Sequence, residues 1–283
     1  MTVSTAMPIA LASVAENLTP GQRACDTQAP VAGEFASPIW SPDIPLRIAC
    51  DFLDEIEAVR MALDNRTRDP GETSPCKCGE CHKCAAYWTQ LARYRSILDA
   101  GRLDLWEQRK EEARKMEDSA RKEVEWQAKN HPLAGPWIAS RKGIGPKQGG
   151  RMVASIGNPL VNGAEGRLRR GPAELWAYCG YAPGQKRQRG VKSNWNAEAK
   201  MRTFLCAENA IKAGVRKLDG CDDSDGYDVA RRQATTPFAQ AYLDARANWA
   251  DRDVSDGHRH NHALRVTAKA ILKDLWLYAR DHA

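Results

Sequence analysis

The run Arg141-Lys142-Gly143-Ile144-Gly145-Pro146-Lys147 constrains this chain more than any other stretch. Two glycines flanking one apolar residue permit a tight backbone reversal, and the proline suits the first turn of a following helix. Beyond it, Met152, Val153 and Ile156 return at helical spacing. The pattern predicts a helix-hairpin-helix. Such a hairpin can aim bare backbone N–H groups, at a helix N-terminus, toward a phosphate. Arg141, Lys142, Lys147 and Arg151 add positive charge to the same few residues. The plainer alternative is a sharp helix–helix turn with a solvated basic face.

Charge is unevenly placed. The whole chain of 283 residues carries a formal net charge of +6, yet Trp137 to Asp219 alone holds 16 Lys and Arg against 5 Asp and Glu. The rest of the chain is therefore net negative, which marks a local electrostatic footprint and not a uniformly basic protein. No apolar run reaches the length needed to cross a bilayer, and the short piece Met7 to Ala12 lacks a basic lead-in. With nine cysteines, four of them crowded between Cys76 and Cys84, metal ligation in a reducing compartment is expected over a disulfide framework. A cytoplasmic location follows as the expectation.

Organisation along the chain is predominantly helical. Residues 1–45, rich in Ala, Pro, Ser and Thr, read as a disordered leader. Residues 46–130 read as a helical arm carrying a Cys-rich metal loop at 76–84. Within the arm Ile48, Phe52, Ile56, Val59 and Leu63 share one helical face. The charged segment Leu105 to Asn130 has a narrow seam of Trp106, Ala113, Met116, Ala120 and Val124. That seam suits packing on the preceding helix, with self-association or a protein partner as the alternative. Residues 131–283 read as a second, helical domain. It holds the hairpin, a basic loop with Lys186, Arg187, Arg189 and Lys192, a helix with Met201, Phe204, Ala207 and Ile211 inward, and a closing helix with Leu264, Ala268, Ile271, Leu275 and Tyr278 inward. Little β-structure is expected beyond a short hairpin. The fold class expected is mainly α.

The order of features in the second domain resembles a known family. Gly143-Ile144-Gly145-Pro146, then Ile156-Gly157-Asn158-Pro159, then Leu175-Trp176-Ala177-Tyr178-Cys179-Gly180-Tyr181-Ala182-Pro183 is similar to the C-terminal domain of bridge-RNA-type DEDD insertion-sequence transposases, the insertion sequence one-ten class. Lys200-Met201-Arg202-Thr203-Phe204-Leu205 echoes that family's Arg-led helix, and Ala263 to Leu272 its closing helix. The likeness spans roughly Leu133 to Trp276 and implies DNA transposition or recombination chemistry on DNA, with RNA as a further ligand. Two departures stand against a complete activity. The first 130 residues show no strand pattern for an RNase H-like domain, and Arg189-Gly190 stands where the family has a Ser-Gly pair holding its nucleophile. Ser193 is the nearest hydroxyl, a weak catalytic candidate with no base beside it in sequence.

Cys76, Cys78, Cys81 and Cys84 supply four soft thiolate ligands, the donor set of a closed structural zinc site. Tight spacing also leaves an iron–sulfur cluster or unliganded thiols open. Cys50, Cys179 and Cys206 lie in apolar helical contexts and read as core residues. His258, His260 and His262 alternate on a helix, so at most two could ligate together; a polar helix start capped by Asp256 is the preferred reading. The acidic loop at Asp223, Asp225 and Gly226 misses a calcium loop, since Arg232 occupies its twelfth position.

The expectation is a DNA-binding protein without autonomous strand transfer. Arg141, Lys142, Gly143, Ile144, Gly145, Lys147, Arg151, Lys186, Arg187, Arg189, Lys192, Lys200 and Arg202 are its candidate contacts. The alternatives are a partner-completed recombinase and a helical adaptor or RNA-binding protein.

Overall fold

Apolar residues at helical spacing make the described chain mainly α-helical, as a computed structural model shows for residues 44–69, 82–162, 166–218 and 228–283. The expected leader falls almost entirely outside these residues, as do Cys76, Cys78, Cys81 and most of the acidic loop. Three long helices come first: α1 (Ile44–Thr67), α2 (His82–Asp99) and α3 (Leu103–Asn130). The hairpin region follows with α4 (Ala134–Ala139) and α5 (Pro146–Ile156). Next come the short strands β1 (Val161–Asn162) and β2 (Arg167–Leu168), and then α6 (Pro172–Tyr178) and α7 (Ala197–Gly214). Strands β3 (Val215–Lys217) and β4 (Arg232–Ala234) precede α8 (Pro237–Ala247) and α9 (Asp256–Asp281). Both strand pairs are small antiparallel ladders, Val161 opposite Leu168 and Val215 opposite Ala234.

The second half of the chain starts its helices in two ways. Pro146 and Pro172 occupy the first turns of α5 and α6 after glycines, where the missing N–H costs nothing. Asn196, Thr236 and Ser255 cap α7, α8 and α9 with side-chain oxygens that accept from Ala199 N, Ala239 N and His258 N. Ser255, not Asp256, is thus the cap of α9; Asp256 is its first residue and receives the Arg246 guanidinium.

One cluster of buried side chains runs from α1 to α9. Leu46 and Leu53 of α1, Val124 of α3, Trp137 of α4, Met152 of α5, Leu175 of α6 and Ile271 and Leu275 of α9 all belong to it. Gly150 lets α5 lie close on α3, since a Cβ there would stand 2.6 Å from the Ala128 methyl. Ala113, Ala120 and Val124 of the α3 seam are buried, and α3 packs on α1 and α5, while Met116 is exposed. Of the residues expected inward on α9, Leu264, Ala268, Ile271 and Leu275 are buried and Tyr278 is half-buried; of those on α7, Ala207 is buried, Phe204 and Ile211 are half-buried and Met201 is exposed.

Helix α1 is rotated from the expected face. Leu46, Ala49, Cys50, Leu53, Ile56 and Leu63 point inward, while Ile48, Phe52 and Val59 are 62%, 47% and 51% exposed. Both faces are apolar, so hydrophobicity alone does not choose between them. Charge does. With the observed face inward, Asp54 and Glu57 meet cations of α5 and α7; the other rotation would have turned Asp51 and Glu55 toward the core.

Candidate nucleic-acid interface

A tight turn at residues 141–145 joins α4 to α5. After α4, Arg141 N donates to Ile138 O at 3.0 Å and Ile144 N to Arg141 O at 3.3 Å, closing the turn. Gly143 has φ +92°, and a Cβ there would sit 3.0 Å from Ala210 Cα of α7. Conformation and space both demand glycine. Ile144, between the glycines, is buried and fixes the turn to the core. Gly145 precedes α5 with an ordinary extended backbone and open space around its Cα. No side chain caps α5. With Pro146 lacking an N–H and Gly149 N bonded to Gly145 O at 2.8 Å, the Lys147 and Gln148 N–H groups are those of the first turn left without an acceptor among the described residues.

The cations around the hairpin are mostly occupied inside the protein. Arg141 grips Asp274 of α9 through Nε at 2.7 Å and Nη2 at 3.0 Å. The same carboxylate accepts from the buried Trp137 indole at 2.8 Å. Lys147 pairs with Glu57 at 2.8 Å. Arg151, only 3% exposed, donates to Glu57 at 3.1 and 2.8 Å and to Asp54. Arg202, also buried, shares that Asp54. These cations lock α5 and α7 onto α1. Lys142 alone among the hairpin cations is exposed without a carboxylate partner, beside a cavity of about 320 Å³ lined also by Ser140, Thr236 and Phe238.

The basic loop differs. Lys186, Arg187, Arg189 and Lys192 are all exposed, and among the described residues none has a salt-bridge partner. The loop leaves the core at Tyr181, whose hydroxyl donates to Lys200 O at 2.9 Å, and returns at Trp195. The Lys200 ammonium lies 4.6 Å from the Trp195 ring centre. Burial, then the neighbouring Arg265 guanidinium, holds the Lys200 pKa below the usual lysine range. Arg167 is taken by Glu174 at 2.8 Å, and Arg169 is buried with Nη1 donating to the carbonyls of Asn158 and Pro159 at 2.9 Å each. Ser193 sits half-buried in the basic loop, and among the described residues no histidine or carboxylate is hydrogen-bonded to it.

Of the four crowded cysteines only Cys84 is described; it is buried at the start of α2. Among the described residues no three His, Cys, Asp or Glu side chains converge as a metal site. The three histidines of α9 part company: His260 meets Tyr242 Oη at 2.7 Å, while His262 stacks on Trp249 at 3.7 Å. Burial pushes the Cys50 thiol up to about 11 and the Cys179 and Cys206 thiols up to about 12, so all three are inert core groups at neutral pH.

Cations missing from the sequence expectation lie on α9. Arg265, Lys269 and Lys273 recur at i, i+4 and i+8 on its outer face. That spacing is visible in sequence once the helix is known to bury Leu264, Ile271 and Leu275. No protein-family model, no curated protein and no solved structure matches this chain. Among the described residues no helix is long and apolar enough to cross a membrane.

Proposed function

We propose that this chain binds the phosphate backbone of DNA, with the basic loop as its main grip and the hairpin as a secondary contact. One observation carries the reading. Lys186, Arg187, Arg189 and Lys192 stand exposed and, among the described residues, without carboxylate partners, while Arg141, Lys147, Arg151 and Arg202 are consumed in internal ion pairs. Uncompensated surface cations attract a polyanion and release its counterions; compensated ones do not. Lys142 and the uncapped N-terminus of α5 add a second phosphate contact. The set is cations and backbone N–H groups suited to phosphate oxygens, which carry no sequence information, so the reading is of largely sequence-independent binding. Among the described residues no histidine or carboxylate is hydrogen-bonded to Ser193, and the reading includes no autonomous strand transfer. The cysteine loop at 76–84 is proposed to hold structural zinc, and Cys84 tethers it to α2.

Fluorescence anisotropy with labelled duplex across a salt series tests this. The wild type should lose affinity steeply with salt, with a log–log slope of about −4 if four to five phosphates are engaged. Arg187→Gln/Arg189→Gln/Lys192→Gln should make that slope shallower by about 3. A loop variant with the wild-type slope would remove the loop from the interface. A four-way junction and a structured RNA in the same assay rank the ligands.

A further inference from the structure

Helix α9 buries one face; on the opposite one His258, Arg265 and Lys273 are exposed, while His262 and Lys269 are half-buried against Trp249 and Trp176. Along that outer face His258, His262, Arg265, Lys269 and Lys273 follow one another at steps of four, three, four and four residues. Fifteen residues of helix make this a straight row about 22 Å long. The acidic residues of the helix are engaged by other cations: Asp256 receives Arg246, Asp274 receives Arg141 and Asp281 receives Arg280. Among the described residues Arg265, Lys269 and Lys273 have no carboxylate partner.

Two further observations show like charges gathered on this face. Burial and the guanidinium groups of Arg252 and Arg265, with His258 and Lys269, hold the His262 pKa below the usual imidazole range. Burial first and then Arg265 likewise lower the Lys200 pKa, at the foot of the basic loop. A protein surface left this positive gains by meeting a polyanion.

Tryptophans seat three of the cations. Lys200 lies over Trp195 at 4.6 Å, Lys269 over Trp176 at 5.5 Å and Arg252 over Trp249 at 4.3 Å. A cationic head resting on an indole face is already restricted, so it loses less freedom when it takes a phosphate. None of the exposed large apolar side chains lies on α9, so the face lacks the insertion groups with which a basic helix enters a lipid surface.

We infer that the outer face of α9 is a second nucleic-acid contact, a linear phosphate-gripping ridge of Arg265, Lys269 and Lys273 that joins the basic loop through Lys200. The ridge rests on the nucleic-acid reading above and extends it: the partner is a rod-like backbone lying along the helix, not a strand held at the hairpin alone.

The test uses the full chain, labelled duplex DNA and four proteins: wild type, the loop variant above, Arg265→Gln/Lys269→Gln/Lys273→Gln, and the charge-keeping Arg265→Lys/Lys269→Arg. Thermal melting of each establishes folding, and Lys273→Glu, at an exposed site, serves if the triple variant fails to fold. With three ridge contacts added to those of the loop and hairpin, the wild-type slope should steepen to about −7. Losing them should make it shallower by about 3, or by about 1 for Lys273→Glu, and weaken binding roughly tenfold or more near 0.1 M salt. The charge-keeping variant should match the wild type. A ridge variant indistinguishable from wild type, with the loop variant impaired, would overturn the ridge and leave the loop reading standing. A wild type that binds no duplex would overturn both. Binding to vesicles rich in anionic lipid, lost with the ridge while duplex binding persists, would overturn it in favour of a membrane surface.

Discussion

Arg141 of the hairpin holds Asp274 of α9 through two hydrogen bonds, at 2.7 and 3.0 Å. The residue that heads the most conspicuous basic motif of the sequence is thereby a strut. It ties the hairpin to the helix that carries the basic ridge, and Trp137 completes the carboxylate's shell from the core side. Asp274→Ala would leave the Trp137 N–H and the Arg141 guanidinium without their acceptor. The variant should lose about 2 kcal/mol of stability, measured by urea unfolding. Its salt slope for duplex should not become shallower, because a cation is freed and not removed.

Asp54 offers the sharper contrast. It bridges Arg151 and Arg202, two buried guanidiniums on different helices. Removing the carboxylate in Asp54→Ala strands the buried Arg202, leaves Arg151 to Glu57 alone, and should cost about 3 kcal/mol or more, or prevent folding. Arg151→Met should destabilise as well, yet leave the salt slope of any folded protein unchanged. If Arg151→Met made the slope shallower, Arg151 would be a ligand contact and not a strut.

The two glycines of the hairpin should separate cleanly. Gly143→Ala meets both a positive φ and the backbone of α7, so it should lose about 2 kcal/mol or more. Gly145→Ala meets open space at an ordinary φ and should stay within about 1 kcal/mol of wild type. Gly145→Ala is therefore the variant whose binding reports on the open α5 N-terminus. A Gly145→Ala protein as unstable as Gly143→Ala in the same unfolding assay would contradict this geometry.

Helix positions were legible because they rest on local signals, whereas the one cap read from sequence, Asp256, is not the cap: Ser255 caps α9. Pro146 and Pro172 start helices, Ala197 and Pro237 follow capping residues, and α9 buries the stripe read from its spacing. The face of α1 was not legible. Ile48, Phe52 and Val59 look as suited to a core as Leu46, Cys50 and Leu53, and the choice is made by Asp54 and Glu57 finding cations some 94 to 148 residues away. The same distance hid the state of the basic residues. Sequence shows that Lys147, Arg151 and Arg202 are positive but not that α1 neutralises them, whereas Arg187 and Arg189 look no different and remain open. The α9 cations are periodic in the sequence, but periodicity alone does not show which of them an internal carboxylate neutralises.

Acid should act on both folding and binding through the histidines of α9. His262 faces Arg252, Arg265, His258 and Lys269, with Trp249 stacked on its ring; Asp251, Asp253 and Asp256 lie on the segment that leads into the helix. His260 faces Tyr242 and Arg246, with Asp256 and Glu208 opposing them. For both, burial is the largest influence and the folded pKa lies below the unfolded value near 6.5. The folded state therefore binds fewer protons than the unfolded one. Stability from these groups is full above about pH 6.5 and is lost as pH falls through that value toward the lower folded pKa. The melting temperature should drop between pH 7 and 5, and by less in His260→Gln/His262→Gln. A polyanion on the ridge favours the charged imidazole of His262, so by reciprocity duplex affinity should rise over the same fall in pH, and the double variant should lose most of that rise. Melting curves flat across this range, with affinity equally flat, would place both imidazoles outside the field that the ridge creates.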